Sequence, residues 1–508
     1  MVAGNLQYSS DMRYSAVLLA FTFLMWNAPA LAQVHYQPGG APWSNKAGGG
    51  PDAKVDGWYY NLGITGLRVE LIEEAPEWLL VRHVFDGSPA AKKVKVGDLI
   101  AGAGGVAFTT PHQNGYGMDK FGPQGPIADF AKALEACQAT NADGKLALTL
   151  MRDEKIKEVR LTIGKAYGAF SAEFPGPCAK SELILQQACE YLLEQQGANG
   201  SWGSPPQDTF APLALMASGT KKHMAAAKKN VQMHAKTTSR KDDDALVNWR
   251  YMAAAIVMSE YYLITEEKWV LPELQEVYDF LIASQYVDIA QLNPKSRESH
   301  PGAVPKKPGD AEGGWGHNPG FEGYGPIAML TAQGAIAFAL MKECGIDVDQ
   351  KRHDAAYDFL RRGSGHNLYV WYADQAAGED DWADMGRTGA SAVANRLSPW
   401  PGDYVARSLR HAKVIGDHPE SFPDTHGSPI MGMGYSAAGT AGSPEAFHKL
   451  MAANQWWFTL AQCCDGSFYY QPNRDNAGYG ADSRISATAV TAFILSIPKH
   501  NLRMTGRE

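Results

Sequence analysis

From Pro177 to Pro498 apolar residues recur at the three-to-four spacing of helices, and the alternation expected of strands is absent. The pattern predicts paired helices: Ala179–Gln196 then Phe210–Ala217, His223–Lys236 then Ala245–Ile264, and Pro272–Gln285 then Ile327–Cys344. Gln350–Arg361 then Thr388–Arg396, Asp403–Ile415 then Pro429–Ala441, and Pro444–Cys463 then Ile485–Ile497 continue it. The first member of each pair is amphipathic and charged. The second is rich in Ala, Gly, Ser and Met, and so needs burial on most sides. Outer helices around crowded inner ones close naturally into an all-α (α/α)6 toroid over residues 177–498.

A turn recurs between outer and inner helices. Gly313-Gly-Trp-Gly-His317 leads through Gly323-Tyr-Gly-Pro326 into Ile327–Cys344. Asn199-Gly-Ser-Trp202 and Asp465-Gly-Ser-Phe468 echo it, each after a helix with Gln near its end (Gln195, Gln285, Gln462). Such self-similarity is the mark of a repeated helical hairpin.

Residues 57–165 have a different period. Trp78–Val84, Lys145–Met151 and Val159–Ile163 read as strands, Gly97-Asp-Leu-Ile100 begins another, and Ile127–Cys137 reads as an amphipathic helix. Asn61-Leu-Gly-Ile64, Gly87-Ser-Pro-Ala90, Gly97-Asp-Leu-Ile100 and Ile127–Cys137 together resemble a PDZ domain, with Phe108–Pro126 as a long Gly-rich insertion. The resemblance implies a small α+β domain. Backbone N–H groups of Leu62, Gly63 and Ile64 would hold a peptide C-terminal carboxylate, and the peptide would add as a strand beside Ile64–Leu67.

The Gln…Gly-Ser-Trp and Asp-Gly-Ser-Phe turns resemble the Gln-Trp repeats of terpenoid-cyclase-like toroids. A PDZ domain before such a toroid resembles the order in a family of secreted bacterial proteins, which implies no particular activity. Asp242-Asp-Asp-Ala245 lacks the Asp-x-Asp-Asp-Thr-Ala order of squalene-type cyclases, and capping of the next helix explains it.

The N-terminus changes the picture of location. Ala16–Trp26 is an apolar run too short to span a bilayer, and Ala30-Leu-Ala32 is a cleavage pattern. Residues 1–32 are therefore expected to be a signal peptide, begun at Met1 or Met12, and residues 33–56 a Gly/Pro-rich tether. The expected product is exported, periplasmic or secreted. No later run has the length of a transmembrane helix.

A chain of 508 residues with net charge −8 is large enough for several domains and ill-suited to general nucleic-acid binding. The basic stretch Lys221–Lys241 reads as a solvated helix face. Six cysteines are too few for a disulfide scaffold, and no Cys-x-x-Cys or His-x-x-x-His metal spacing appears. No cofactor is therefore expected. Ring closure would bring the first and last outer helices together, so Cys189 is expected to reach Cys463 or Cys464.

The inner helices of such a toroid run parallel, so their N-termini converge on one mouth and favour an anion there. The loops feeding it hold Asp208, Asp244, Asn248, His317, Tyr324, Asp384, Arg387, Asp424, His426, Tyr479, Asp482 and Arg484. Trp202, Trp315, Trp382 and Phe468 are the expected cavity aromatics, and His317, Tyr324, Asp384, Arg387, Asp482 and Arg484 the candidates for catalysis. Two functions follow. One is a binding protein that captures a peptide terminus and offers a ligand cavity. The other is a lyase or hydrolase acting on an acidic oligosaccharide. A lyase would use Arg387 or Arg484 against a uronate and Tyr324 or His317 as base. A hydrolase would use two carboxylates, Asp384 and Asp482. No Gly-x-Ser-x-Gly elbow or P-loop occurs.

Overall fold

The computed structural model describes residues 58–72, 74–112, 124–238, 245–376, 384–423, 425, 428–471 and 483–508. The expected leader and tether lie outside these residues, as do Asp244, Trp382, Asp424, His426, Tyr479 and Asp482.

The N-terminal part is one antiparallel sheet. Its strands are β1 (Trp58–Asn61), β2 (Leu67–Leu71), β3 (Leu79–Val84), β4 (Leu99–Ala103), β5 (Val106–Ala107), β6 (Lys145–Arg152) and β7 (Lys155–Thr162). They run in the order β1-β2-β3-β4-β6-β7, with β5 on β4. Helix α1 (Pro126–Gln138) packs on β4 and β6 through buried residues such as Phe130 and Leu134. Pro126 starts the helix, where its missing N–H costs nothing.

Thirteen of the helices that follow form the six pairs that the periodicity predicts, one outer member being broken in two. The first pairs are α2 (Ala179–Gln195) with α3 (Gln207–Ser218), α4 (Lys221–Thr237) with α5 (Val247–Thr265), and α6 (Val270–Ser284) with α7 (Ala328–Glu343). Next come α8 (Gln350–Arg362) with α9 (Gly386–Leu397), and α10 (Tyr404–Asp417) with α11 (Pro429–Thr440). The last outer element is two helices, α12 (Pro444–Ala453) and α13 (Gln455–Ala461), before α14 (Ser483–Ser496). Asn454 makes the break by turning its amide to the Leu450 and Pro419 carbonyls, each at 2.8 Å. The inner helices form a closed ring: α3 touches α5, α5 touches α7, α7 touches α9, α9 touches α11, α11 touches α14, and α14 returns to α3. Helices α9 and α11 approach most closely because their glycines leave room. A Cβ on Gly389 would lie 2.1 Å from the Tyr435 carbonyl oxygen.

The recurring turns work by repeated hydrogen bonds. Gln196 donates to the Gly200 and Ala226 carbonyls at 3.0 and 2.9 Å, and Gln285 to those of Gly313 and Arg352 at 2.8 and 2.9 Å. Each glutamine thus ties its own turn to the next outer helix; in the first repeat it is Gln196, not the expected Gln195. The turn then bonds the first part of its inner helix: Trp202 N–H to Asp208, Trp315 N–H to Thr331, Val370 N–H to Thr388 and Phe468 N–H to Thr488, at 2.7–3.1 Å.

The sheet domain is docked at the seam between the first and last hairpins. Glu135 of α1 accepts from Lys180 of α2, from Thr459 Oγ1 of α13 at 2.9 Å and from the Phe170 N–H at 3.0 Å. Asn61 donates to the Leu460 carbonyl, and Gln471 bonds the Asn61 N–H and C=O, each at 3.0 Å. This docking corrects the expected peptide groove at Leu62, Gly63 and Ile64. Both edges of β2 are taken, by β1 and by β3. The Leu62 N–H bonds the Leu67 carbonyl at 3.0 Å, and a Cβ on Gly63 would lie 2.5 Å from the Thr459 carbonyl oxygen. The loop is thus buried under the toroid rather than open to a carboxylate.

The C-terminal segment covers the opposite end of the ring. The buried Glu260 of α5 accepts from the Arg503 and Met504 N–H groups at 2.9 and 2.8 Å. Arg503 pairs with Glu343, and Asn501 and Arg507 donate to the Ala217 and Leu263 carbonyls near the ends of α3 and α5.

All six cysteines are free thiols, which corrects the expected Cys189 bridge. Cys189 faces Ser218 at the C-terminal end of α3, whereas Cys463 lies beside Ser467 in the turn before α14.

Candidate functional site

Five inner helices begin around one cavity of about 610 Å³. Pro205 and Pro206 come from the start of α3, Leu246, Val247, Trp249 and Arg250 from that of α5, Ile327 and Met329 from α7, Asp384 and Arg387 from α9, and Ser428 and Met431 from α11. His317 and Tyr372 enter from the loops between. Three expected residues, His317, Asp384 and Arg387, therefore line one cleft, and Tyr324 stands at its rim, 38% exposed and bonded to two lining residues.

The His317 loop is sewn to the start of α5. Leu246 N–H bonds Asn318 Oδ1 at 2.7 Å, Asn248 N–H bonds the His317 carbonyl at 3.2 Å, and the Asn248 amide bonds the Gly316 carbonyl at 2.8 Å. Trp249 Nε1–H bonds His317 Nδ1 at 2.8 Å. An indole N–H can only donate, so Nδ1 accepts and the proton of the neutral imidazole sits on Nε2. Burial lowers the His317 pKa and favours that neutral form. Nε2–H therefore donates to the Tyr324 oxygen. Tyr324 and Tyr372 hydroxyls are 3.1 Å apart. Burial, then the bond to Tyr324, raises the Tyr372 pKa. His317 thus donates to the Tyr324 oxygen, and the Tyr324–Tyr372 bond can run in either direction.

Arg387 and Asp384 form the opposing charged wall. They are 5% and 3% exposed and 3.2 Å apart, so the pair is shielded from water. Arg387 also donates to the Tyr369 hydroxyl at 3.0 Å and to the Val370 carbonyl, and lies over the Trp371 and Tyr372 rings. Burial opposes its charge, but Asp384 and Tyr369 outweigh burial and raise its pKa. Asp384 holds a left-handed φ of 56°, which the Gly386 N–H helps to fix.

Several expected residues are elsewhere. Trp202, Trp315 and Phe468 are 4%, 0% and 0% exposed and plug the core behind the turns, not the cavity. Trp202 and Trp315 spend their indole N–H on the Leu192 and Leu281 carbonyls. Arg484 pairs with Asp465 and Ser467 in the last turn and lies over Tyr191, away from the cavity lining. Asp208 holds the first turn through Ser201, Trp202 and Asn230. Asn248 positions the His317 loop.

The sequence reading missed Trp249, Arg250 and Tyr372. Tyr372 had a signal: Tyr369–Tyr372 is the turn before α9, equivalent to the Trp315 turn before α7. Its lack of the Gly-Ser-Trp letters hid the equivalence. Among the described residues no cluster of three His, Cys, Asp or Glu side chains could hold a metal ion, and no helix is long and apolar enough to cross a membrane.

The family described as "Domain of unknown function (DUF6288)" matches residues 181–506. No curated protein matches the sequence. Similar solved structures include the GH76A alpha-1,6-mannanase from Salegentibacter sp. HEL1_6, at 12% identity and a TM-score of 0.44, over 62% of this chain and 98% of that one. A GH76 alpha-mannanase of Bacteroides thetaiotaomicron is 10% identical over 63% of this chain and 95% of that one, with a TM-score of 0.46. The type II terpene cyclase MstE from Scytonema is 13% identical over 63% and 99%, with a TM-score of 0.36.

Proposed function

The chain belongs to the family described as "Domain of unknown function (DUF6288)", and we propose that its helical ring carries the active site of an enzyme cleaving an acidic glycan. The observation that carries this reading is the polarised chain from Trp249 through His317 to Tyr324, with the Tyr372 hydroxyl beside it. It puts a phenolic hydroxyl at the rim of a cavity, with an oriented imidazole donor behind it.

The chemistry best suited to that arrangement is β-elimination. Tyr324 first gives up its phenolic proton to solvent, and its oxygen then takes the proton on the carbon beside a uronate carboxylate. The electron pair forms a C=C bond, the C–O bond to the departing sugar breaks, and the departing oxygen takes a proton from Tyr324. His317 Nε2–H and Tyr372 O–H steady the oxygen while it carries negative charge. The carboxylate is met by a positive field. Among the described lining residues Arg250 and Arg387 stand against the one carboxylate of Asp384, and the helix N-termini add to them. Hydrolysis by paired carboxylates is less favoured, because Asp384 is already committed to Arg387. The docked sheet domain serves in this reading as a clasp on the ring, not as a peptide receptor.

The test is ultraviolet absorbance of unsaturated uronate during incubation with uronic-acid polymers. Tyr324→Phe should slow its appearance by about 100-fold or more, the range of a lost general acid–base group. An undiminished rate in that variant, or no unsaturated product from any uronate polymer with folded protein, would overturn the assignment.

A further inference from the structure

The mouth cavity has two unlike walls. Tyr372, Asp384 and Arg387 make one of them polar and charged. In ring order α3 stands three places from α9, so Pro205 and Pro206 at the head of α3 face that charged pair from across the ring. Leu246 and Val247 extend the proline wall, beside Trp249 and Arg250 of the same helix, and Met431 enters from α11, the neighbour of α9.

Leu246 sharpens the contrast. It caps α5 at a φ of 61°, a left-handed conformation that a leucine adopts only at a cost. It is also 55% exposed. A bond from its N–H to Asn318, part of the stitching that positions His317, holds it there. A single exposed leucine is ordinary on any surface. One held under strain, continuous with an apolar wall and facing a charged one, belongs to a ligand surface. Met431 adds a flexible, polarisable patch suited to varied apolar shapes.

We infer that the substrate is an acidic glycoside bearing an apolar group, such as an aryl or short alkyl substituent beside the cleaved sugar. The acidic sugar lies on the Asp384–Arg387–Tyr372 wall and the apolar group on Leu246, Val247 and the two prolines, with Met431 between the two. The cavity of about 610 Å³ has room for a sugar ring and such a substituent together. This assignment rests on the active-site reading above, yet it concerns binding and can be tested without turnover.

The experiment is calorimetry of the full chain with methyl glucuronide, butyl glucuronide and butyl glucoside. Butyl glucuronide should bind at least about tenfold more tightly than methyl glucuronide; full burial of the three added methylenes would give roughly 50-fold. It should also bind more tightly than butyl glucoside. Leu246→Asn, which suits the left-handed backbone and so spares the fold, should weaken butyl glucuronide more than methyl glucuronide. Equal affinities for the two glucuronides, an unchanged ratio in Leu246→Asn, or no binding of any of the three would overturn the apolar wall. Equal affinity for butyl glucuronide and butyl glucoside would overturn the acidic half of the assignment. A strong alkyl preference with no cleavage of any uronide would leave the ligand class standing and remove the enzyme reading.

Discussion

Glu260 gives the molecule a pH dependence whose sign and size follow from its surroundings. Its carboxylate is fully buried and accepts two backbone N–H groups from the C-terminal segment. Burial pushes its pKa up, and neighbouring Glu343 adds to this; the Met504 and Arg503 N–H groups and the Arg503 charge pull it down. Burial wins, and the value rises from 4.5 to about 7. The folded chain therefore holds this proton where the unfolded chain has lost it. The resulting stability is fully present below the unfolded value and lost as pH rises through the folded one. At about 1.4 kcal/mol per unit the shift is worth roughly 3 kcal/mol, of which about 2.5 kcal/mol disappears between about pH 5 and about pH 8. Glu260→Gln removes the titration but keeps the shape. The variant should be less stable than the parent at the lower pH, because its amide satisfies only one of the two N–H groups. The deficit should shrink by about 2.5 kcal/mol at the higher pH. Denaturant unfolding of both proteins across that range reads the difference directly, since other titrating groups cancel. Parallel pH profiles would refute the reasoning.

Two buried arginines should respond in opposite ways to removal. Arg68 is 1% exposed, has no hydrogen-bond partner for its guanidinium among the described residues, and lies 4.4 Å from the Tyr469 ring centroid. Arg68→Met replaces a costly buried charge with an apolar chain of similar length, and thermal unfolding should show stability unchanged or raised by about 1–4 kcal/mol. Arg387→Ala strands Asp384 and frees the Tyr369 bond, so the same measurement should show a loss of about 3–5 kcal/mol. Calorimetric binding of a uronide should fall with it, which a purely structural pair would not require.

Much of the ring was legible because its two helix kinds bury different surfaces. An amphipathic helix such as Gln350–Arg362 and an all-buried one such as Ala328–Glu343 leave different periodicities. The break at Asn454 was not legible, because it depends on a carbonyl at Pro419 that is distant in sequence. The site divides along the same line. His317, Asp384 and Arg387 could be named from their place before inner helices. Their partners Trp249 and Tyr372 come from other turns of the ring, and only the closed geometry brings them together. The tryptophans misled for a physical reason: Trp202 and Trp315 have large flat rings suited to a sugar, but the repeat needs those rings to plug its own core. The Leu62–Ile64 loop misled because the surface that resembles a receptor is covered by a helix and turn about 400 residues later, as in the bond from Cys464 to the Ile64 carbonyl.

That long reach has a consequence for how the chain is made. Glu135 must wait for Thr459, 324 residues downstream, before the rivet across the seam can close. At a synthesis rate of about 5–20 residues per second, the gap lasts roughly 15 to 65 seconds. Through that interval the sheet domain holds the outer edge of β1 and the Gly63 loop uncovered, and the ring is an open arc of hairpins. Any truncation before residue 459 makes this unfinished state permanent, leaving an unpaired strand edge and an unburied apolar seam in the same molecule. Such products should be aggregation-prone even when every helix they contain is intact.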